Sequence, residues 1–250
     1  MAKYKQSNVP ISLELELHEQ SVNIDVESMA PVDPAFTAKS FDVANSTIVA
    51  IVNNTTGQSK TYRLAVRANL EAGASAWTQV ISGDDKSFKN KVKFERIVEA
   101  NAGIVEPILF RAGLTLDETK PRAKQLTELA KQFKIADITV PAGMQVLRIH
   151  LSQRLLPIDA SAKSYHLDAY LPLMSFAPTS TVMLAATLVF PRGFMQKADI
   201  TEARHLPIPG LPTPQLVAGG DNPLMLANQQ CYAWEFHNVD PMLSISWTYK

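Results

Sequence analysis

The sequence predicts an all-β protein, an antiparallel β-sandwich carrying one short α-helix. Three observations support this. Apolar and polar residues alternate with period two over many short segments, the pattern of half-buried strands. Only residues 119–133 show a helical stripe. Prolines and turn residues recur between the apolar runs, as they do in sandwiches and barrels.

Taken in order, residues 1–10 are polar and read as an N-terminal arm, and residues 11–250 as a single sandwich domain with a proline-rich excursion at 191–230. Ile11, Leu13, Leu15 and Leu17 alternate with polar residues, and Val22, Ile24 and Val26 repeat the pattern. Residues 30–45, with Pro31 and Pro34, read as a loop. Residues 47–52 and 61–68 flank Asn53, Asn54 and Gly57, turn chemistry that predicts a hairpin. Further short strands are expected at 78–81, 91–98 and 104–110. Residues 86–96 alternate lysine with apolar residues, and Lys89, Lys91 and Lys93 would share one strand face.

The helix is expected over 119–133. Thr119 would cap it, Pro121 suits its first turn, and Leu126, Leu129, Ala130 and Phe133 form its stripe. Strands resume at 145–151 and 165–171. Residues 181–190 contain no charge and predict a strand covered on both faces. Within 191–230, Pro207, Pro209, Pro212 and Pro214 predict a long extended loop. A final hairpin is expected from 231–236 and 243–249, turning at Asn238 to Pro241. In its last strand, Ile245, Trp247 and Tyr249 share a face.

Charge is uneven along the chain. Residues 1–134 hold 17 Lys/Arg and 16 Asp/Glu, whereas residues 135–250 hold 7 and 8. A surface poor in charge needs a cover. The proline-rich stretch is the expected partner surface, with Pro207, Pro209, Leu211, Pro212, Pro214 and Leu216 as interface candidates. Net charge is zero, which argues against bulk affinity for polyphosphate. The single cysteine, Cys231, forbids an intrachain disulfide. No signal-peptide pattern and no apolar window near the roughly 18 residues of a membrane helix are present, so a cytoplasmic protein is expected unless it resides in a virion.

Catalytic signatures are sparse. His166-Leu167-Asp168 places a histidine and a carboxylate on one strand face, and His205 or His237 would complete an iron(II) triad. Trp247 stands where such oxygenases carry an arginine, so His166, Asp168 and His237 remain weak metal candidates. No nucleophile elbow, phosphate loop or dinucleotide fingerprint occurs, and no catalytic residue or cofactor is expected. Asp84 and Asp85 read as a turn. Lys89, Lys91 and Lys93, interleaved with aromatics, suit nucleic acid or anionic lipid, but neighbouring acids favour a solvated edge. Asn45, Asn53 and Asn54 read as turn residues. Trp77, Trp234 and Trp247 suit a sugar platform, though Trp234 and Trp247 fit a core or interface better.

The strand patterns at 11–17, 47–68, 145–151, 181–190 and 231–249 together resemble the jelly-roll coat proteins of icosahedral viruses, including tailless bacteriophages. The resemblance lies in strand pattern and carries over no functional residue. It implies a capsid subunit that self-assembles with copies of itself, and with other shell proteins, through loops and arms. The alternatives are a ligand- or carbohydrate-binding β-sandwich and, behind it, a metal-dependent β-sandwich enzyme.

Overall fold

The computed structural model describes residues 15–28, 42–67, 75–81, 91–97, 116–131, 133–155, 157, 164–170, 177–190, 196–207, 215–219, 224–226, 229–237 and 239–249. These residues are almost entirely β, with one helix. The expected N-terminal arm and the strand at 104–110 lie outside them.

A nine-stranded sheet dominates. Eight of its strands run in the order β12-β14-β10-β1-β2-β8-β4-β5, and β13 also pairs with β14. These are β12 (Gln215–Gly219), β14 (Gln229–His237), β10 (Ala177–Val189), β1 (Leu15–Ser28), β2 (Asp42–Asn54), β8 (Gly143–Leu155), β4 (Ser75–Ile81), β5 (Val92–Lys93) and β13 (Leu224–Leu226). Two three-stranded sheets accompany it. One is β3-β7-β6, from β3 (Lys60–Arg67), β7 (Phe133–Val140) and β6 (Glu95–Arg96). The other is β11-β15-β9, from β11 (Gln196–Pro207), β15 (Val239–Tyr249) and β9 (Ser164–Tyr170).

One continuous core joins all three sheets. It contains Leu17, Ile24 and Ile48 from the large sheet, Leu64 and Ile138 from one small sheet, and Tyr165 and Trp247 from the other. An aromatic chain crosses the layers. Tyr165 stacks on Trp247, Trp247 meets Phe190 edge-on at 5.5 Å, and Phe190 meets Tyr232, which stacks on Trp234. Trp234 and Trp247 are therefore core residues, as expected. The buried Trp247 indole points its Nε1 at the Asp42 carboxylate, 3.4 Å away, so the polar end of the ring has a partner inside.

The alternation in β1 explains its own break. Leu15 and Leu17 are buried at odd positions, whereas Val22, Ile24 and Val26 are buried at even ones. The register shifts between Leu17 and Glu19. The extra residue of this bulge, His18, resets the period and keeps one strand apolar on a single face.

Several expectations are corrected. The predicted hairpin at 47–68 is not a hairpin, because β2 pairs with β1 and β8 while β3 pairs with β7. The chain crosses from one layer to the other at residues 55–59. The same happens between β7 and β8, and again between β14 and β15, where the second hairpin was expected. Asn54 holds the first two crossings together. Its buried amide nitrogen lies 2.9 Å from the Val140 carbonyl, 3.1 Å from that of Pro141 and 2.9 Å from that of Gln58. Its oxygen accepts from the Thr56 N–H and hydroxyl and from the Tyr62 hydroxyl. Gly57, at φ +73°, supplies the left-handed residue that the crossing needs.

The sandwich is not wholly antiparallel, since β1 and β10 pair in parallel. The loop expected at 191–230 is largely strand, because β11, β12, β13 and the start of β14 fall within it. Proline ends β11 at Pro207 rather than excluding the segment from a ladder. The loop read over 30–45 also ends early, since β2 begins at Asp42.

The helix, α1 (Arg122–Ala130), is shorter than expected at both ends. Thr119 does not cap it. The N-cap is Pro121, which has no side chain able to accept. The entry is organised instead by Asp117, whose carboxylate accepts from the Thr119 N–H, and by the Gln125 side chain, which bonds both backbone groups of Asp117. Leu126 and Ala130 are buried as the stripe requires, but Phe133 packs as the first residue of β7. No helix among the described residues is long and apolar enough to cross a membrane.

Candidate functional site

The alternation that buries one face of the large sheet presents the other to solvent, and cross-strand register fixes what that face carries. On β2, Val43, Asn45, Thr47, Val49, Ile51 and Asn53 are half-buried and uncharged. On β1, Glu16, Glu19, Asp25 and Glu27 point the same way. On β8, Arg148, His150 and Arg154 do so. Adjacent strands lie about 4.8 Å apart, so an acidic strand and a basic strand stand about 10 Å apart with a neutral strand between them.

The polarity continues outward on both sides. Beyond β8, Trp77 on β4 is paired with His150, and Lys93 on β5 is paired with Trp77. Beyond β1, β10 offers Ala185 and Thr187, and β14 offers Glu235 and His237. Among the described residues, this face has no acid on β8, β4 or β5 and no lysine or arginine on β1, β10 or β14.

Hydrogen bonds order the acids. Asn53 donates to Glu16 at 3.1 Å, Asn45 to Glu27 at 3.3 Å and Asn23 to Asp25 at 2.8 Å. The Thr187 hydroxyl donates to the Asn23 side-chain oxygen Oδ1 in turn. Neutral amides fix these carboxylates without cancelling their charge. His18 lies 3.7 Å from Glu16 and adds a cation only when protonated. Asn45 and Asn53, read from sequence as turn residues, are thus strand residues that hold an acidic row.

The basic side is built around an aromatic ring. Trp77 stacks on His150, with ring centroids 5.4 Å apart, and the Lys91 ammonium sits 4.2 Å from the indole centre. The Arg148 guanidinium lies 5.8 Å from the same ring. Cation–π attraction of this kind contributes about 0.5–1 kcal/mol at an exposed site. Burial, then Arg148 and Lys91, lower the His150 pKa below its ordinary value. The histidine is therefore mostly neutral at pH 7.

The sequence-based lysine stripe is only partly assembled. Lys91 and Lys93 lie at β5, while Lys89 falls outside the described residues. The alternating run also changes sheet. Phe94 is buried and donates its N–H to Ala76 at 3.0 Å, after which Glu95 and Arg96 join the small sheet as β6.

The weak metal candidates are divided between sheets. His166 and Asp168 lie on β9, opposite Ser246 and Ser244. His237 lies on β14, where its Nε2 is 3.1 Å from Glu235. Among the described residues, no three of His, Cys, Asp and Glu gather as metal ligands. Of the interface candidates, Pro207 closes β11 and Leu216 sits in β12 opposite Phe236. Pro209, Leu211, Pro212 and Pro214 lie outside the described residues. The thiol of Cys231 is pushed up by burial and by Asp25, which leaves it poorly nucleophilic.

No family model and no curated protein matches the chain. Solved structures share parts of its shape. A candidate nutrient-binding protein from Legionella pneumophila aligns with a TM-score of 0.48 and 11% identity, over 95% of this chain and 68% of that one. An M1 zinc metallopeptidase from Deinococcus radiodurans gives 0.40 and 8%, over 94% of this chain and 42% of that one. A yeast LTA4 hydrolase gives 0.35 and 6%, over 94% and 28%. The chain thus spans less than half of either enzyme. Likenesses at this level assign neither family nor activity, and none of these three is a viral coat protein.

Proposed function

We propose that this chain is a structural protein, a capsid-type subunit that assembles with copies of itself into a shell. The observation that supports this is the exposed face of the nine-stranded sheet, which is neutral along β2, acidic on one side and basic on the other. A face with both signs in separate stripes complements a second copy of itself, and shells are built from repeated contacts between identical surfaces. In this reading the layered sandwich is the jelly-roll-type block of the coat resemblance. The contact surface moves from a proline-rich arm to a sheet face, because much of 191–230 is strand.

The charge-free segment in β10 fits the same reading. Ala186 and Leu188 are buried, but Ala185 is exposed. At Ala185, the described residues leave the second face without the cover expected there. Electron microscopy of the purified, concentrated protein tests the proposal. Closed shells or regular sheets are expected, and a uniform field of single subunits overturns it.

A second reading, the ligand-binding sandwich, has one observation of its own, the Trp77 ring among Lys91, Arg148 and His150. It calls for an anionic or sugar ligand. Titration with a sulfated oligosaccharide should then quench Trp77 fluorescence in wild type but not in a Trp77→Phe variant. Equal responses from the two proteins reject it.

A further inference from the structure

We infer that the exposed face of the nine-stranded sheet is a two-fold interface, in which a second copy of this chain packs face to face with β2 along the axis. This rests on the assembly reading above and specifies its first contact. A two-fold axis running along β2 exchanges the two sides of the sheet. It lays β8 of one copy over β1 of the other, β4 over β10, and β5 over β14. Every one of these exchanges joins complementary partners. Arg148 and Arg154 on β8 meet the acids of β1. Arg154 and Glu27 occupy the same cross-strand row, through Val43, and so come face to face. Arg148 lies one row from Glu19, through Val49 and Ile51. Lys93 on β5 lies one row from Glu235 on β14, through Trp77 and Thr187. The large Trp77 ring falls over the small residues Ala185 and Thr187.

The alternative axis, across the strands, would set β8 on β8 and β1 on β1. That arrangement sets the acidic strand on the acidic strand and the basic strand on the basic strand, so charge alone selects the axis. The middle of the interface is dry in composition, because Val43, Thr47, Val49 and Ile51 lie on or beside the axis. A patch five strands wide and ten residues long covers about 800 Å² per copy, which is the size of a standard stable interface. Sheets packed face to face keep their strand directions within about 30° of each other, and a shared β2 direction meets this. The amides that hold Glu16, Asp25 and Glu27 keep the acidic row ordered before contact, which reduces the entropy lost on docking.

Charge reversal on the full chain tests the pairing. Sedimentation velocity at 0.15 M salt should show a wild-type dimer, or a larger species built on it. Arg148→Glu alone and Glu19→Lys alone should each raise the dimer dissociation constant about tenfold or more, since each sets two like-charge contacts into the pair. An equimolar mixture of the two variants should recover wild-type association, as should a single chain carrying both changes. Circular dichroism confirms that each variant is folded, and Lys60→Glu, off this face, serves as the control. If wild type associates but the reversals leave it unchanged, or the mixture fails to recover it, this interface is wrong while assembly stands. If wild type is monomeric at every concentration, the assembly reading fails as well.

Discussion

Replacing Asn54 with alanine removes a side chain that bonds to the first two sheet-crossing turns. Asn54 is 1% exposed. Its amide serves the Val140 carbonyl in a fully buried position, and its oxygen accepts from the Tyr62 hydroxyl in another. Alanine leaves both groups buried without that partner, at about 1–3 kcal/mol each. The bonds to Gln58, Pro141 and Thr56 are partly wet, and water replaces them at little cost. The expected loss is therefore about 3–5 kcal/mol, a large share of the roughly 5–15 kcal/mol that holds an ordinary domain together. Tyr62→Phe breaks one of these bonds and should cost about 1 kcal/mol. The double variant should cost less than the sum of the two, because Tyr62 has already lost its acceptor. Urea unfolding followed by tryptophan fluorescence measures all three midpoints, and an unchanged slope shows that stability alone has moved. A loss below about 1 kcal/mol for Asn54→Ala, or strict additivity with Tyr62→Phe, would refute the role given to this residue.

Other outcomes follow from the same geometry. Gly57→Ala should cost about 1 kcal/mol in the same assay, because φ is +73° and no atom crowds the new methyl group; a neutral result would show that the turn relaxes. The Arg63–Asp137 pair, with both nitrogen–oxygen contacts at 2.7 Å, is half-exposed, so Arg63→Ala should cost under about 1 kcal/mol and less in high salt. Arg63 lowers the Asp137 pKa, so the pair's contribution is present above the ordinary carboxylate range and is lost as pH falls through the lowered folded value. Asp137→Asn should flatten that acid limb of the stability curve. His150 works in the opposite chemical sense with the same slope. Its folded pKa is depressed, so the unfolded chain takes up its proton first and stability falls as pH drops below about 6.5. Histidine ring NMR should find His150 titrating below that value, and Arg148→Ala should move it upward.

The strands were legible in the sequence because burial on one face imposes period two, and β2 shows this over its full length. Strand partners were not. Asn53, Asn54 and Gly57 signal a turn, but a turn joins two strands of one sheet or passes between sheets with the same residues. What decides is the long-range pairing of β2 with β1 and β8, and of β3 with β7, which no local pattern contains. Proline misled at 191–230 for a related reason. It forbids a ladder donor at its own position only, and β11 reaches Pro207 with its earlier residues paired. The candidate face was hidden more deeply. Arg148 and His150 on β8 are far in sequence from Trp77 and Lys93, and each looks like an ordinary polar or aromatic residue of its own strand. Only cross-strand register places them on one side of β2 and Glu19, Glu27 and Glu235 on the other. The parity of each strand was available as a signal, but parity without strand order cannot build a surface.

Sedimentation equilibrium of the wild-type chain over a wide concentration range, at low salt and again near 1 M, tests the central claim most directly. Self-association through a charge-striped face predicts a mass at least twice the 27.5 kDa of one chain, falling as salt screens the stripes. A single 27.5 kDa species at every concentration and salt would contradict it.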